Sequence, residues 1–167
     1  AGQAVSGVVR AFNYHSGITR VGLEQDASPH LRRLTFSVFV EGFPQRRQSI
    51  EQTLGLMLIG LRQLLGTAFT PDHVLLRHDA GMPSRLYRRW FSCPVLFCQD
   101  VNALVFEAAR LDEPIDQSNP DLLRIAESYV ASEISRRPMD TPGQVEALVD
   151  LLLQTDRCTL EYVAERL

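Results

Sequence analysis

The chain has 167 residues, of which 45% are hydrophobic and 22% are charged, so it has ample material for a core and is unlike a disordered chain. Its formal net charge of −3 argues against an extensive nucleic-acid-binding surface. The longest apolar run, Leu54 to Leu61, is interrupted by glycine and is too short to cross a bilayer.

The cysteines and the opening residues bear on the cellular location. Cys93, Cys98 and Cys158 are odd in number and do not have the spacing of a disulfide framework. The sequence opens without the basic and apolar segments of a secretion signal. We therefore expect a cytoplasmic protein.

Apolar periodicity predicts the first elements in chain order. Helical spacing of apolar residues predicts a short amphipathic helix over residues 2–14. Alternating apolar residues then predict two strands, Ile18–Leu23 and Leu31–Val40, on either side of a turn at Gln25–Pro29.

The segment Ile50–Leu65 predicts the next helix. Ser49 and Gln52 match a capping-box pattern at its start. Because the segment is apolar on most sides, we expect it to be buried between layers. Gly55 and Gly60 are expected to let another backbone approach closely.

The middle of the chain predicts a strand, a helical turn and two further strands. The first strand is expected at Val74–His78, and Val95–Cys98 and Ala103–Phe106 are expected to pair as a hairpin around Gln99–Asn102. The intervening helical turn is expected to place three aromatic side chains on one side: Tyr87, Trp90 and Phe91.

The C-terminal part of the sequence predicts helices separated by a linker. A helix is expected over 122–136, a linker over 137–142, and two more helices at Val145–Gln154 and Thr159–Leu167. The order of elements predicts an α+β fold. It would contain an antiparallel or mixed sheet of about five strands, a buried helix and flanking helices, followed by a helical C-terminal segment.

Metal-dependent or nucleophilic chemistry has weak support. Cys93 and Cys98 lack the spacing and the second ligand pair of a zinc site, so we expect no metal and no cofactor. A hydrolase would require a reactive Cys98, and nothing in the sequence pairs that cysteine with His78. We therefore expect a protein without enzymatic activity, in which buried thiols act as small apolar groups.

Two stretches together resemble a known family. The first, Pro71–Pro114, contains in order the segments PDHV, YRRWF, CPVLF, NALVF and LDEP. The second is TLEYVAERL, at Thr159–Leu167. Their order and spacing resemble AraC/XylS-type transcription regulators, with an arabinose-binding-type sensor domain followed by the beginning of a helix-turn-helix domain.

The resemblance implies three regions. Residues 1–136 would form an effector-sensing domain cut short at its N-terminus, residues 137–143 a linker, and residues 144–167 the first helices of a truncated helix-turn-helix domain. The recognition helix that enters the major groove is expected to be missing. Accordingly no residue of this chain is assigned to DNA binding, and operator DNA is expected as a partner of the intact protein only.

The resemblance also implies a sensor that binds a small effector and thereby modulates DNA binding by the intact regulator. The expected effector is an amino acid, an amine or an acyl compound, and arabinose is not implied. We expect an apolar pocket with a few polar groups between the sheet and the buried helix. Its candidate lining residues are Phe36, Val38, Met57, His78, Tyr87, Trp90 and Phe97.

The alternative hypothesis is a ligand-independent dimerisation module. In that case the amphipathic helix Asp121–Arg136 would pair with its twin, with Leu122 and Tyr129 in the seam. A homodimer is expected under both hypotheses.

Overall fold

The computed structural model describes residues 1–15, 19–38 and 46–115, together with four single positions further along the chain. Over these ranges the fold is α+β, as predicted. The helices and linker predicted beyond residue 115 lie outside the described ranges. In chain order the elements are α1 (Gly2–His15), β1 (Thr19–Gln25), β2 (Leu31–Val38), α2 (Arg46–Leu65), β3 (His73–Leu75), α3 (Ser84–Phe91), β4 (Val95–Leu96) and β5 (Ala103–Glu107), with a 3-10 turn over Ala108–Leu111.

The five strands form one mixed sheet in the order β1-β2-β5-β3-β4. β3 and β4 run parallel, and α3 lies in the crossover that parallel strands require. The other pairs are antiparallel. The predicted hairpin between Val95–Cys98 and Ala103–Phe106 is therefore wrong, because β3 lies between β4 and β5.

Asn102 explains why β5 lies between β2 and β3. Its side chain is 4% exposed, its Oδ1 accepts a hydrogen bond from Arg77 N at 3.0 Å, and its Nδ2 donates to Phe36 O at 3.4 Å. Its backbone oxygen accepts a further bond from Phe36 N at 2.8 Å. One buried amide thus joins the end of β3 to β2, an arrangement that the short Gln99–Asn102 connection alone does not reveal.

The core lies where α2 packs against the sheet. Alternate residues of each central strand point to this side, as the two-residue period of a strand requires. Burying each large apolar side chain contributes roughly 1.5–3 kcal/mol. Buried members of this core include Leu34, Phe36, Leu54, Leu58, Leu61, Val74, Leu76, Phe91, Leu104 and Phe106.

Burial of α2 is one-sided. Leu54 and Leu58 are 0% and 2% exposed, whereas Leu56 and Ile59 are 61% and 47% exposed, so the predicted burial on most sides is wrong. The helix also begins at Arg46, which places Ser49 inside it and not at its cap. None of the helices in the described part of the chain has both the length and the hydropathy of a membrane span.

α3 contributes both a buried and an exposed aromatic side. Tyr87 and Phe91 are 2% and 1% exposed, but Trp90 is 66% exposed, so the three aromatic residues do not share one side as predicted. The Trp90 indole lies over α2 so closely that a Cβ at Gly55 would be 2.9 Å from its Nε1. Gly55 therefore makes room for a side chain, and not for the backbone that the sequence led us to expect. Gly60 makes room for neither, since a Cβ there would meet nothing within 4 Å.

Asn13 of α1 covers the outer edge of the sheet. Its Oδ1 accepts a hydrogen bond from Val21 N at 2.7 Å, and its Nδ2 donates to Val21 O at 2.8 Å. The side-chain amide thus takes the place that a neighbouring strand would occupy on β1. A covered edge is protected against pairing with another chain.

We expect Asn102→Ala to lower the free energy of unfolding by about 2 kcal/mol, because it leaves Arg77 N and Phe36 O without their side-chain partner in the interior. The matched control is Gln99→Ala, which removes an exposed amide and should cost less than about 0.5 kcal/mol. Urea denaturation of both variants measures the difference, and equal losses would contradict the role given to Asn102.

A second pair of variants tests the approach of α3 to α2. Gly60→Ala should raise the free energy of unfolding by about 0.5–1 kcal/mol, because alanine favours the helix and meets open space. Gly55→Ala should force the Trp90 indole to turn. Since Trp90 is the chain's one tryptophan, its fluorescence emission reports this directly. Unchanged emission in Gly55→Ala would show that the two helices do not meet there.

Candidate functional site

Two cavities lie on opposite sides of α2. The larger one, here called the α2–α3 cleft, has a volume of about 670 Å³ and opens to solvent between the two helices. It is lined by Gln48, Glu51, Gln52, Met82, Leu86, Tyr87, Arg89, Trp90 and Phe91.

The smaller cavity, here called the α1–α2 groove, has a volume of about 400 Å³. It lies where α1 and α2 meet β1 and β2, and none of its lining residues is charged. They are Val5, Val8, Val9, Phe12, Val21, Leu34, Thr53, Leu56, Met57, Gly60, Leu61, Gln63 and Leu64.

The α3 side of the α2–α3 cleft is apolar. Met82, Leu86 and Trp90 follow one another at intervals of four residues and are 46%, 41% and 66% exposed. The four-residue interval brings Leu86 and Trp90 to one side of α3, and Met82, which precedes the helix, also lines the cleft. Large apolar side chains exposed next to each other are typical of a surface that binds something.

The α2 side of the cleft carries a carboxylate held by a tyrosine. Tyr87 Oη donates a hydrogen bond to Glu51 Oε1 at 2.8 Å and accepts one from Gly81 N at 3.1 Å. Burial raises the pKa of Tyr87, and the bond to Glu51 raises it further. The phenol therefore keeps its proton at neutral pH and remains a donor to the carboxylate.

His78 lies against the same carboxylate. Its Nδ1 is 2.8 Å from Asp79 O, and since a carbonyl oxygen can only accept, Nδ1 carries the proton. The other ring nitrogen, Nε2, lies 3.6 Å from Glu51 Oε1. Nε2 is buried and has no hydrogen-bond partner among the residues that the structure describes.

Two arginines contribute positive charge around the α2–α3 cleft. Arg47 Nε is 3.9 Å from Glu51 Oε1, with 47% of the arginine side chain exposed. Its guanidinium lies against Gly81 and occupies the place that a Cβ there would take. Arg89 lines the cleft but is exposed, so solvent screens its charge.

Four of the seven residues predicted to line a pocket lie together. Tyr87 and Trp90 line the α2–α3 cleft. Phe97 packs edge-on against Tyr87 with ring centroids 5.0 Å apart, and His78 lies 6.5 Å from Phe97. His78 and Phe97 thus support the cleft without lining it.

The other three predicted residues lie elsewhere. Met57 lines the α1–α2 groove, the cavity nearer to the predicted position between sheet and helix. Phe36 is 3% exposed and packs edge-on against Phe12 at 6.2 Å, so it is part of the core. Val38 is half-buried at the edge of that core.

Several lining residues of the α2–α3 cleft were not predicted, although the sequence carries a signal for some of them. Glu51 is the one acidic residue of α2, on a helix otherwise rich in leucine. The interval from Leu86 to Trp90 indicates a common side of α3, whereas Met82 precedes the helix and its place in the lining has no such signal. Gln48 and Gln52 carry no sequence signal that separates them from ordinary surface glutamines.

The cysteines and histidines of the described region do not form a metal or nucleophile site. Cys93 is 6% exposed, and burial raises its pKa to about 11, so it stays a neutral thiol. Cys98 is exposed and its backbone is left-handed, with φ 57°. Within the described ranges, no three His, Cys, Asp or Glu side chains converge as metal ligands would. Cys158 lies outside those ranges.

A family model identifies the family of this chain, and two further comparisons give a relative and a structure that are similar to it. Residues 1–115 match the family model described as the arabinose-binding domain of AraC transcription regulator, N-terminal. The chain is 26% identical over 140 residues to the HTH-type transcriptional regulator VirS of Mycobacterium tuberculosis, in each of two strains. That match covers 81% of this chain and 40% of VirS, so the chain spans about two fifths of that relative.

A solved structure shares the fold. The transcriptional regulator CdpR from Pseudomonas aeruginosa superimposes with a TM-score of 0.67 at 14% identity, over 99% of this chain and 54% of CdpR. The match to the family model confirms the predicted resemblance to AraC-type regulators. Because the family model spans well over half of the sequence, this chain belongs to the family of arabinose-binding N-terminal domains of AraC transcription regulators.

Proposed function

We propose that this chain is the effector-sensing part of an AraC-type regulator and that the α2–α3 cleft is its effector site. The observation that carries the proposal is an open cleft with one apolar wall and a half-buried carboxylate on the other. Small-molecule sites are typically apolar clefts with a few polar groups that fix the orientation of the ligand.

The size and lining of the cleft support a small metabolite with an apolar part. Its volume of about 670 Å³ lies within the range of roughly 300–1,000 Å³ that is common for such sites. Trp90, Leu86 and Met82 together offer apolar surface that is otherwise exposed to water. The family's name refers to arabinose, but this wall favours a less polar effector.

In this proposal the cleft acts through the position of α3 relative to α2. An effector that fits one arrangement of the two helices better than another shifts the population between them. In this proposal the segment 144–167 is the beginning of the helix-turn-helix domain, and the linker 137–143 joins it to a sensor of residues 1–136. DNA binding is proposed for the intact regulator only.

A thermal-shift screen of metabolites tests the proposal. A compound that binds the folded chain alone stabilises it by about 2.7 kcal/mol at a concentration of about 100 times Kd. We expect at least one compound to raise the Tm of the wild type and to lose most of its effect in Trp90→Ala. Leu96→Ala is the matched control, because Leu96 is 45% exposed and lines neither cavity. If no compound stabilises the wild type, or if the Tm shift is equal in Trp90→Ala, the cleft is refuted as the effector site.

A second candidate function, self-association, is favoured by the α1–α2 groove. The groove is uncharged, and Leu56 and Val8 on its two sides are 61% and 59% exposed. An uncharged apolar surface meets a copy of itself without electrostatic repulsion, as a two-fold interface requires. The dimer helix expected at Asp121–Arg136 lies outside the described residues, so the proposal here rests on the groove alone.

Leu56→Glu tests self-association by placing a charge in the proposed interface. We expect the mass of the wild type in light scattering to be that of a dimer, and that of Leu56→Glu to be that of a monomer. Leu96→Glu places the same charge on β4, away from the groove, and should leave the dimer intact. A monomeric wild type would exclude this function for the chain.

A further inference from the structure

Glu51 is a carboxylate with unused capacity for hydrogen bonds. Its side chain is 17% exposed, and among the residues that the structure describes its one hydrogen-bond donor is Tyr87 Oη. A carboxylate can accept about four hydrogen bonds, and withdrawing it from water without a partner is costly. The Glu51 carboxylate can therefore accept further hydrogen bonds, and it lies on the wall of an open cleft.

The described neighbours of Glu51 supply no second hydrogen bond to its carboxylate. His78 Nε2 lies 3.6 Å from Oε1 and forms no hydrogen bond within the described part of the chain. Arg47 Nε is 3.9 Å from Oε1, also beyond hydrogen-bond distance, and 47% of the arginine side chain is exposed. A cationic donor placed in the cleft would supply the missing partner.

The opposite wall of the cleft suits the remainder of such a ligand. The Trp90 indole and the Tyr87 ring flank the carboxylate in the lining, and aromatic faces attract ammonium groups. Met82 and Leu86 continue this wall with apolar side chains. A ligand carboxylate would meet the like charge of Glu51, which disfavours acyl acids at this position.

We infer that the effector carries a protonated amine on an apolar skeleton and that Glu51 binds the amine in the α2–α3 cleft. This inference rests on the proposed sensing function, and it narrows the expected classes of effector to amines. Glu51 is here the residue that determines specificity, and Tyr87 orients its carboxylate.

A matched set of three probes separates charge from apolar contact: hexylamine, hexanol and hexanoate. They share one alkyl chain and are transparent where tryptophan fluoresces, so Trp90 emission reports occupancy of the cleft. With the wild-type chain we expect hexylamine to change this emission saturably and to raise the Tm. Its affinity should exceed that of both other probes by at least about tenfold, which corresponds to about 1.4 kcal/mol.

Four variants test whether Glu51 causes the preference for hexylamine. Glu51→Gln keeps an acceptor for Tyr87 and should bring hexylamine affinity down to that of hexanol. Gln48→Arg places a competing cation one turn from Glu51 and leaves the Tyr87 bond intact, so it decides the matter if Glu51→Gln does not fold. Glu107→Gln removes the same charge from an exposed position on β5 and should change nothing. Arg47→Gln should tighten hexylamine binding a few fold by removing a nearby cation.

The outcomes distinguish a failure of the amine inference from a failure of the cleft as the effector site. If hexanol or hexanoate binds as tightly as hexylamine, or if the amine preference survives in Glu51→Gln and Gln48→Arg, the amine inference is overturned while the cleft remains a ligand site. If none of the three probes changes Trp90 emission saturably, the cleft itself is refuted as the effector site, and the inference falls with it.

Discussion

The one-sided burial of α2 is the constraint on which the rest of the molecule depends. Leu54, Leu58 and Leu61 anchor the helix on the sheet, so its remaining sides cannot be satisfied by the same core. α1 packs along one of these sides and α3 along another, and each leaves a cavity at the junction. Both candidate binding surfaces are thus consequences of a helix that has more apolar surface than one sheet can cover.

The local part of the fold was predictable, and the long-range part was not. The period of apolar residues identified α1, β1, β2 and the C-terminal end of α2 nearly to the residue. The partner of β5 could not be obtained in this way, because a four-residue connection is compatible with a hairpin and with a step across β3. What decides between them is the buried amide of Asn102, whose partners lie far away along the chain, at Arg77 and Phe36.

The candidate site was predictable for its aromatic members and not for its polar ones. Tyr87 and Trp90 attract notice as large side chains in a short helix, and His78 as a polar group at a strand end. Glu51 gains its significance from surroundings that only the tertiary structure provides: the Tyr87 hydroxyl, the Nε2 nitrogen of His78 and the guanidinium of Arg47. Met57 and Phe36 are apolar, as residues lining an apolar pocket are, but residues of a packed core are apolar too. Their apolar character therefore could not tell a pocket from a core.

The position of β5 has a consequence for how the protein is made. As the central strand, β5 joins β2 to β3, yet of the strands that the structure describes it is the last to leave the ribosome. The earlier segments can form only the β1–β2 ribbon, an isolated two-stranded unit of marginal stability, together with the β3–α3–β4 crossover. Nascent chains therefore expose the leucine face of α2 until residue 107 has been synthesised, which is the interval in which chaperone binding and aggregation compete with folding.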